Sequence, residues 1–349
     1  MIALKHTAIF IAIALLFSIL ISGSAAMDAR SINITDCIGR NTTVPAEINR
    51  VISLNADATR IVVSLGAGDR IVGVDSYSLR CPILNKTYPR LKEVKDVGSH
   101  ISGTLSMESL ASLKPDVILL SGSSKDLADK IQAELGIPCV CTYFNVSKVD
   151  DFLSAYEVLG ELMGKKERSR DIQSFIRNKI NGIINVSSAI PKDQYPRVIT
   201  IGQPLSNDPF KIVTVSSVID WAGGINAGAD SYKGGSPSKV VAIEQIAKWD
   251  PDMIFINGLA LIDVDTILND PNWKQLRAVK EGKVYKIYSA MVGYDPAIFM
   301  VQPMNLAKIM HPDRYTFDFQ EEADKVFEKI YGISKLHPIF EAEFGISNV

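Results

Sequence analysis

"SMESLASLKPDVILLSG" runs from Ser106 to Gly122, and "AIEQIAKWDPDMIFING" runs from Ala242 to Gly258. Aligned without gaps, the two stretches share Glu, Ala, Pro, Asp, Ile and Gly at the same places, which marks a repeat. Each copy reads as a short helix, a Pro-Asp turn and an apolar strand. The helix has to stop before Lys114 or Asp250, because the residue ahead of a proline avoids the α region. The strands "DVILLSG" and "DMIFING" then deliver polar loops at their C-terminal ends, the edge at which parallel sheets bind ligands. Two such units in one chain predict two lobes with their binding edges around one cleft.

The flanking sequence extends the pattern. "SINITDCIGRNTTVPAEINRVISLN" predicts two short alternating strands around Gly39 and a buried strand at Arg50–Leu54. A helix over 57–65, stopped by Gly66 and Gly68, leads into the strand "RIVGVD". Ser76–His100 reads as a loop of turn formers and aromatics; the first repeat, a helix from Lys125 to Leu135 and the strand "GIPCVCTYF" follow. Apolar strands of about six residues alternating with helices are the signature of a parallel sheet covered on both faces. Val149, Phe152, Leu153, Tyr156, Leu159 and Leu162 then recur at helical spacing. After Gly164 a second helix runs from Lys165 to Ile184, long enough to cross a small domain. Strand–helix alternation restarts with "RVITIG", a helix over 215–222, the second repeat and "GKVYKIY"; helices over 298–310 and 320–331 close it. The fold class expected is α/β, two Rossmann-like lobes with parallel-rich sheets joined by a long interlobe helix. The divisions are a signal peptide (1–26), a first lobe (27–147), connecting helices (148–188), a second lobe (189–331) and a tail (332–349).

The chain has 349 residues, enough for two domains, with 47% hydrophobic and 22% charged residues and a net charge of −2. It has no basic run, which argues against nucleic acid as a partner. Lys5, the apolar run Ala8–Ile21 and the small residues "SGSAA" read as an export signal cleaved near Ala26. An uncleaved N-terminal anchor is the alternative, and both put the body of the chain outside the cytoplasm, periplasmic or on the cell surface. No Cys follows the small residues, so a lipid anchor at such a site is not expected. Cys139 and Cys141 alternate on one strand and point the same way, which disfavours a bridge between them. The four cysteines read as buried small side chains, with a Cys37–Cys81 bridge as an alternative. Sequons at Asn33, Asn41, Asn85, Asn145 and Asn185 allow glycosylation on an external surface.

Enzyme signatures fail. "GAGDRI" at Gly66–Ile71 is a near miss to a dinucleotide fingerprint, but it follows a helix and precedes a strand, the reverse of the order that would face a helix N-terminus toward pyrophosphate. No phosphate-binding loop or nucleophile elbow occurs. Beyond the signal only His100, His311 and His337 remain, and His100 alone falls in a strand-end loop, too few imidazoles for a bare metal site. No catalytic residue, resident metal or cofactor is expected. The loops that should rim the cleft carry Asn55, Tyr77, His100 and Ser123 in the first lobe, and Gln203, Asn207, Tyr232, Asn257 and Tyr294 in the second. Tyrosines offer flat apolar contact and one hydrogen bond each, which suits a sizeable, partly planar ligand. Taken singly, each is equally an ordinary surface or packing residue. Glu108 and Glu244 stand at equivalent repeat positions near helix starts. A carboxylate there stabilises its own helix; its recurrence also fits a two-fold symmetric partner that offers arginines to both.

The order of motifs resembles the substrate-binding proteins of ABC importers, of the type with a rigid interlobe helix that carries ferric siderophores, haem or cobalamin. The matching stretches include "ITDCIGRNTTVPAEINRVISLNADATRIVVSLGAGDRIVGVDSYS", "MESLASLKPDVILLSG", "ELGIPCVCTYF", the helix after "LGELMGKKERS", and "IEQIAKWDPDMIFING". The resemblance covers nearly the whole chain after the signal and stops near Tyr331. It implies that Glu108 and Glu244 dock on arginines of two permease subunits, and that Tyr77 in "VDSYS" stands at a ligand-touching position. His100 falls in the loop where cobalamin-binding members carry an aromatic. The function implied is a receptor that captures an iron chelate or corrinoid and delivers it to the permease. An extracytoplasmic α/β enzyme and a surface interaction module are the alternatives.

Overall fold

The computed structural model describes residues 31–142, 148–202, 208–234, 238–288 and 295–347. The apolar N-terminal run, the sequon at Asn145 and the loop residues Gln203, Asn207 and Tyr294 lie outside them.

The chain opens with an antiparallel hairpin, β1 (Ser31–Thr35) and β2 (Asn41–Pro45), turning through Gly39 at φ +80°. The first lobe follows as β3 (Val51–Ser53), α1 (Ala56–Ser64), β4 (Ile71–Val74), α2 (Ser76–Leu79), α3 (Pro82–Thr87), β5 (Lys95–Asp96), α4 (Met107–Ser112), β6 (Val117–Ser121), α5 (Lys125–Leu135) and β7 (Cys139–Thr142). Its sheet has the order β5-β4-β3-β6-β7, and every pair is parallel. The chain leaves β3 toward one edge and returns to lay β6 on its other side. That reversal between β3 and β6 is the topological switch point at which doubly wound sheets open a crevice.

Two helices carry the chain out of the first lobe, α6 (Val149–Leu162) and α7 (Lys166–Ser188). The 23 residues of α7 span about 35 Å. It buries Ser169, Ile172, Ile176, Ile180, Ile183 and Ser187, a stripe of three- and four-residue steps against the shared core. The hairpin between α6 and α7 is tight: a Cβ on Gly160 would stand 2.4 Å from Ser169 Cβ, and Ser169 Oγ donates to the Tyr156 carbonyl at 2.6 Å.

The second lobe contains β8 (Arg197–Ile201), β9 (Lys211–Val213), α8 (Ser217–Trp221), β10 (Ile225–Asn226), β11 (Ser238–Val240), α9 (Ile243–Trp249), β12 (Met253–Asn257), α10 (Val264–Asn269), α11 (Arg277–Lys280) and β13 (Val284–Ile287), then α12 (Ile298–Met310) and α13 (Phe319–Tyr331). β10, β8, β12 and β13 run parallel, while β9 and β11 form an antiparallel edge.

The repeat is congruent down to its hydrogen bonds. Lys114 and Asp250, each ahead of its proline, have φ of +45° and +41°. Asp116 Oδ2 accepts from the Arg50 backbone N–H at 2.8 Å, and Asp252 Oδ2 accepts from that of Arg197 at 2.7 Å. Arg50 Nε donates to the Leu113 carbonyl at 3.1 Å, and Arg197 Nε to the Trp249 carbonyl at 3.3 Å. Each Pro-Asp turn therefore locks the helix end to the start of the neighbouring central strand, at the end of the sheet away from the ligand-binding edge.

Some expectations give way to the structure. Ser76–His100 is not a plain loop: it holds α2, α3, a 3₁₀ turn at Pro89–Glu93 and β5. These pieces run two to six residues, too short to show periodicity; Asp75 caps the first and Pro82 starts the second. β9 and β11 are equally short and were not foreseen. Residues 332–349, read as a tail, carry α14 (Leu336–Phe344), whose Phe340 ring lies 5.2 Å from that of Phe327. Beyond it the Ser347 N–H donates to the Lys286 carbonyl at 2.8 Å, along the free side of β13. Cys81, Cys139 and Cys141 are free thiols. Cys81 receives the Arg60 guanidinium at 3.0 Å, and burial pushes the Cys139 thiol up to about 12, which leaves it unreactive.

The lobes also meet through charge. Arg60 on α1 is fully buried between Asp57 at 2.9 Å and Asp295 at 3.8 Å. Asp295 lies just ahead of α12, accepts from the Ala297 and Ile298 N–H groups at 2.8 and 3.1 Å, and accepts from the Tyr331 hydroxyl. Burial opposes the charge on Arg60, but Cys81, Asp57 and Asp295 more than offset it and hold the guanidinium protonated.

Candidate functional site

A cavity of about 440 Å³ opens at the C-terminal edge of the first sheet, over the switch point between β3 and β6. Its wall is made of the residues that follow successive strands: Asn55 and Asp57 after β3, Asp75 and Tyr77 after β4, Ser99 and His100 after β5, Ser121 and Ser123 at the end of β6. A parallel sheet covered by helices forces this. Each strand must hand the chain back to a helix at that edge, so the turn residues converge there.

Asn55 is fixed by its local role. Its Oδ1 accepts from the Asp57 and Ala58 N–H groups at 2.7 and 3.1 Å, capping α1 and leaving its amide NH₂ as the group a ligand can use. Asp57 turns its carboxylate to Arg60. Asp75 caps α2, accepting from the Ser78 N–H at 3.0 Å and from its hydroxyl at 2.5 Å, and burial raises it above the usual carboxylate range. Tyr77 presents its ring beside Arg80, whose guanidinium stacks 5.0 Å from the ring centroid. Ser121 and Ser123 share a hydroxyl hydrogen bond of 3.0 Å.

The loop bearing Ser99 and His100 is held in a closed shape. The Ser99 N–H donates to Thr104 Oγ1 at 3.0 Å, and the Ser106 N–H donates to the Val97 carbonyl at 3.0 Å. Gly98 has φ +82°, and a Cβ there would fall 2.0 Å from the Thr104 carbonyl oxygen, so only glycine fits. His100 and Ile101 stand exposed at the cavity mouth, Ile101 at 81%.

The structure thus brings Asn55, Tyr77, His100 and Ser123 to one cavity. It does not bring Tyr232 or Asn257 to that wall. Tyr232 is exposed on its own loop, and Asn257 is buried at the end of β12, where Oδ1 accepts from the Leu259 N–H at 3.0 Å. Asp57, Asp75 and Ser99 line the cavity and were not singled out from sequence. The signal that finds them is simple: each lies within four residues of the end of a parallel strand. Among the described residues no group of His, Cys, Asp and Glu is arranged to hold a metal ion. Glu108 and Glu244 are exposed, each the second residue of its helix, α4 and α9.

The sequence profile of the periplasmic binding protein family matches residues 51–290. Molybdate-binding protein MolA of Haemophilus influenzae is 26% identical over 327 residues, covering 86% of this chain and 91% of that protein. A structure of MolA bound to molybdate superposes with a TM-score of 0.74, at 23% identity over 87% of this chain and 98% of MolA. Fe(3+)-citrate-binding protein YfmC of Bacillus subtilis is 25% identical over 267 residues, 76% of this chain and 81% of YfmC. The vitamin B12-binding protein of Vibrio cholerae is 27% identical over 259 residues, 70% of this chain and 81% of that protein.

Proposed function

The chain belongs to the periplasmic binding protein family, and from that premise we propose that it captures an iron chelate or a corrinoid between its lobes and hands it to a membrane permease. It is an extracytoplasmic substrate-binding protein of an ABC importer, acting by binding and release. Among the described residues no helix is long and apolar enough to cross a membrane.

The observation that carries the cargo reading is the cavity over the first-lobe switch point, roomy and lined by one tyrosine, one histidine, an amide and hydroxyls together with two carboxylates and several aliphatic side chains. Such a wall suits a large ligand held by many weak polar contacts and ring faces. The second-lobe residues Gln203, Asn207, Tyr232, Asn257 and Tyr294 are proposed to complete the grip from the opposite loops. Glu108 and Glu244 are proposed as the permease contacts. Congruent geometry of the two repeats, with an exposed carboxylate in the first turn of each helix, supports that role.

The test separates capture from delivery. Glu108→Ala and Glu244→Ala, singly and together, should leave the affinity for a bound chelate or corrinoid within about twofold while uptake into cells falls at least about tenfold in the double variant. Loss of binding in these variants, or full uptake in the double variant, would refute the docking assignment.

A further inference from the structure

The fold sorts the sequons of the chain. Asn145 lies outside the described residues; the other four divide between strands and helices. A transferase that reads an asparagine amide and the hydroxyl two residues on needs both side chains within reach from one side. An extended strand gives that arrangement, because residues i and i+2 share a face; a helix denies it, because they do not. Asn85 is half-buried on α3, and its Nδ2 donates to the Leu79 carbonyl at 3.2 Å. Its partner Thr87 is buried and spends its hydroxyl on the Ile83 carbonyl at 2.9 Å. Asn185 is exposed on α7, but Ser187 is buried and donates to the Trp221 carbonyl at 2.7 Å.

Asn33 and Asn41 differ. Both lie in the opening hairpin, where Ile34, Thr42 and Val44 turn inward and Asn33, Thr35, Asn41 and Thr43 are all exposed. The register sets Asn33 opposite Thr43 and Thr35 opposite Asn41. Thr43 Oγ1 donates to Asn33 Oδ1 at 2.8 Å, and Thr35 Oγ1 donates to Asn41 Oδ1 at 2.7 Å. Each amide is held by its oxygen, and neither Nδ2 has a partner among the described residues. Neither asparagine belongs to the cavity wall, so a glycan there is not part of the ligand site. We infer that the exposed face of the β1–β2 hairpin is a paired N-glycosylation site, modified at Asn33 and Asn41 in the folded chain, and that Asn85 and Asn185 stay bare. The donor is a lipid-phosphate-linked oligosaccharide. Nδ2 attacks the sugar C1, and an N–C1 bond forms as the C1–O bond to phosphate breaks. The phosphate leaves with the electron pair, and one Nδ2 proton passes to the transferase. The inference rests on the extracytoplasmic placement above and not on the identity of the cargo.

The experiment takes the protein from the cells that make it naturally, fixes its location by fractionation and weighs its tryptic fragments. Cleavage after Arg30, Arg40 and Arg50 puts Asn33 and Asn41 on separate peptides, 31–40 and 41–50. Both peptides should carry sugar mass on asparagine, while those bearing Asn85 and Asn185 should not. Thr35→Ala should strip the first peptide alone and Thr43→Ala the second alone, whereas Thr35→Ser and Thr43→Ser should keep both modified. Either peptide bare, in protein found outside the cytoplasm, overturns the assignment and leaves the receptor reading standing. Sugar on Asn85 or Asn185 overturns the selection by fold. Protein confined to the cytoplasm overturns both this inference and the receptor reading.

Discussion

Arg60 shows how much one buried residue is asked to do. Its guanidinium touches a carboxylate on the cavity wall, a thiol, and the carboxylate that caps the first helix after the second-lobe sheet. A buried pair is weak evidence for stability when both partners are present, but removing one leaves the other charge stranded. Arg60→Ala should therefore destabilise the protein by about 3–5 kcal/mol in urea unfolding. Asp295→Asn, which keeps an oxygen for the cap of α12, should cost clearly less. Equal losses in the two variants would mean that the Arg60–Asp295 charge contact alone sets the cost, with Asp57 and the volume of Arg60 adding nothing.

At the scale of elements, the C-terminal helix α14 is the informative case. His337 is buried at its start, with Nδ1 2.5 Å from the Tyr288 hydroxyl on one side and the Phe319 ring 5.2 Å away on the other. Its N–H donates to Asp324 Oδ1 at 2.9 Å. Burial pushes the imidazole below its ordinary 6.5, although Glu341, Asp324 and Asp318 pull the other way. A base whose folded value is depressed binds its proton more readily in the unfolded chain. Stability is thus complete above pH 6.5 and falls as the pH drops through the folded value. Hydrogen-exchange protection of residues 336–344, taken relative to the intrinsic amide rate at each pH, should fall between about pH 6.5 and pH 5 in the natural protein and much less in His337→Gln. Unchanged protection across that range would remove His337 as the cause.

Across the whole molecule, the two sheets are tied by a 23-residue helix with a continuous buried isoleucine stripe, by a core cluster that draws on both lobes, and by the Arg60–Asp295 contact. These ties join the lobes at separate places, so they resist wide closure about a single hinge. Spin labels placed on the two lobes should report a change in mean separation below about 3 Å on saturation with a bound chelate or corrinoid. The same ligand at a hundred times its dissociation constant should raise stability by about 2.7 kcal/mol. A separation change of 10 Å or more would show that the linking helix bends.

The duplicated helix, Pro-Asp turn and strand, and the alternation of apolar runs, were enough to read the α/β class, the long linking helix and the sheet edge where loops gather. Those features are local: strand length, helical spacing and proline geometry act over a few residues. Asn55, Tyr77, His100 and Ser123 were also within reach, because a residue just past a parallel strand has only one edge to go to. Tertiary structure alone decided the rest. The two- to six-residue pieces in Ser76–His100 form because neighbours supply caps and partners, and α14 finds its place on a surface built by distant segments. Asp57 and Asp75 became cavity wall only through the 5-4-3-6-7 strand order. The fully buried Arg60 could not be foreseen, since beside the neighbouring Asp57 it is balanced by Asp295, which lies 235 positions away in the chain and meets it only when both lobes have folded.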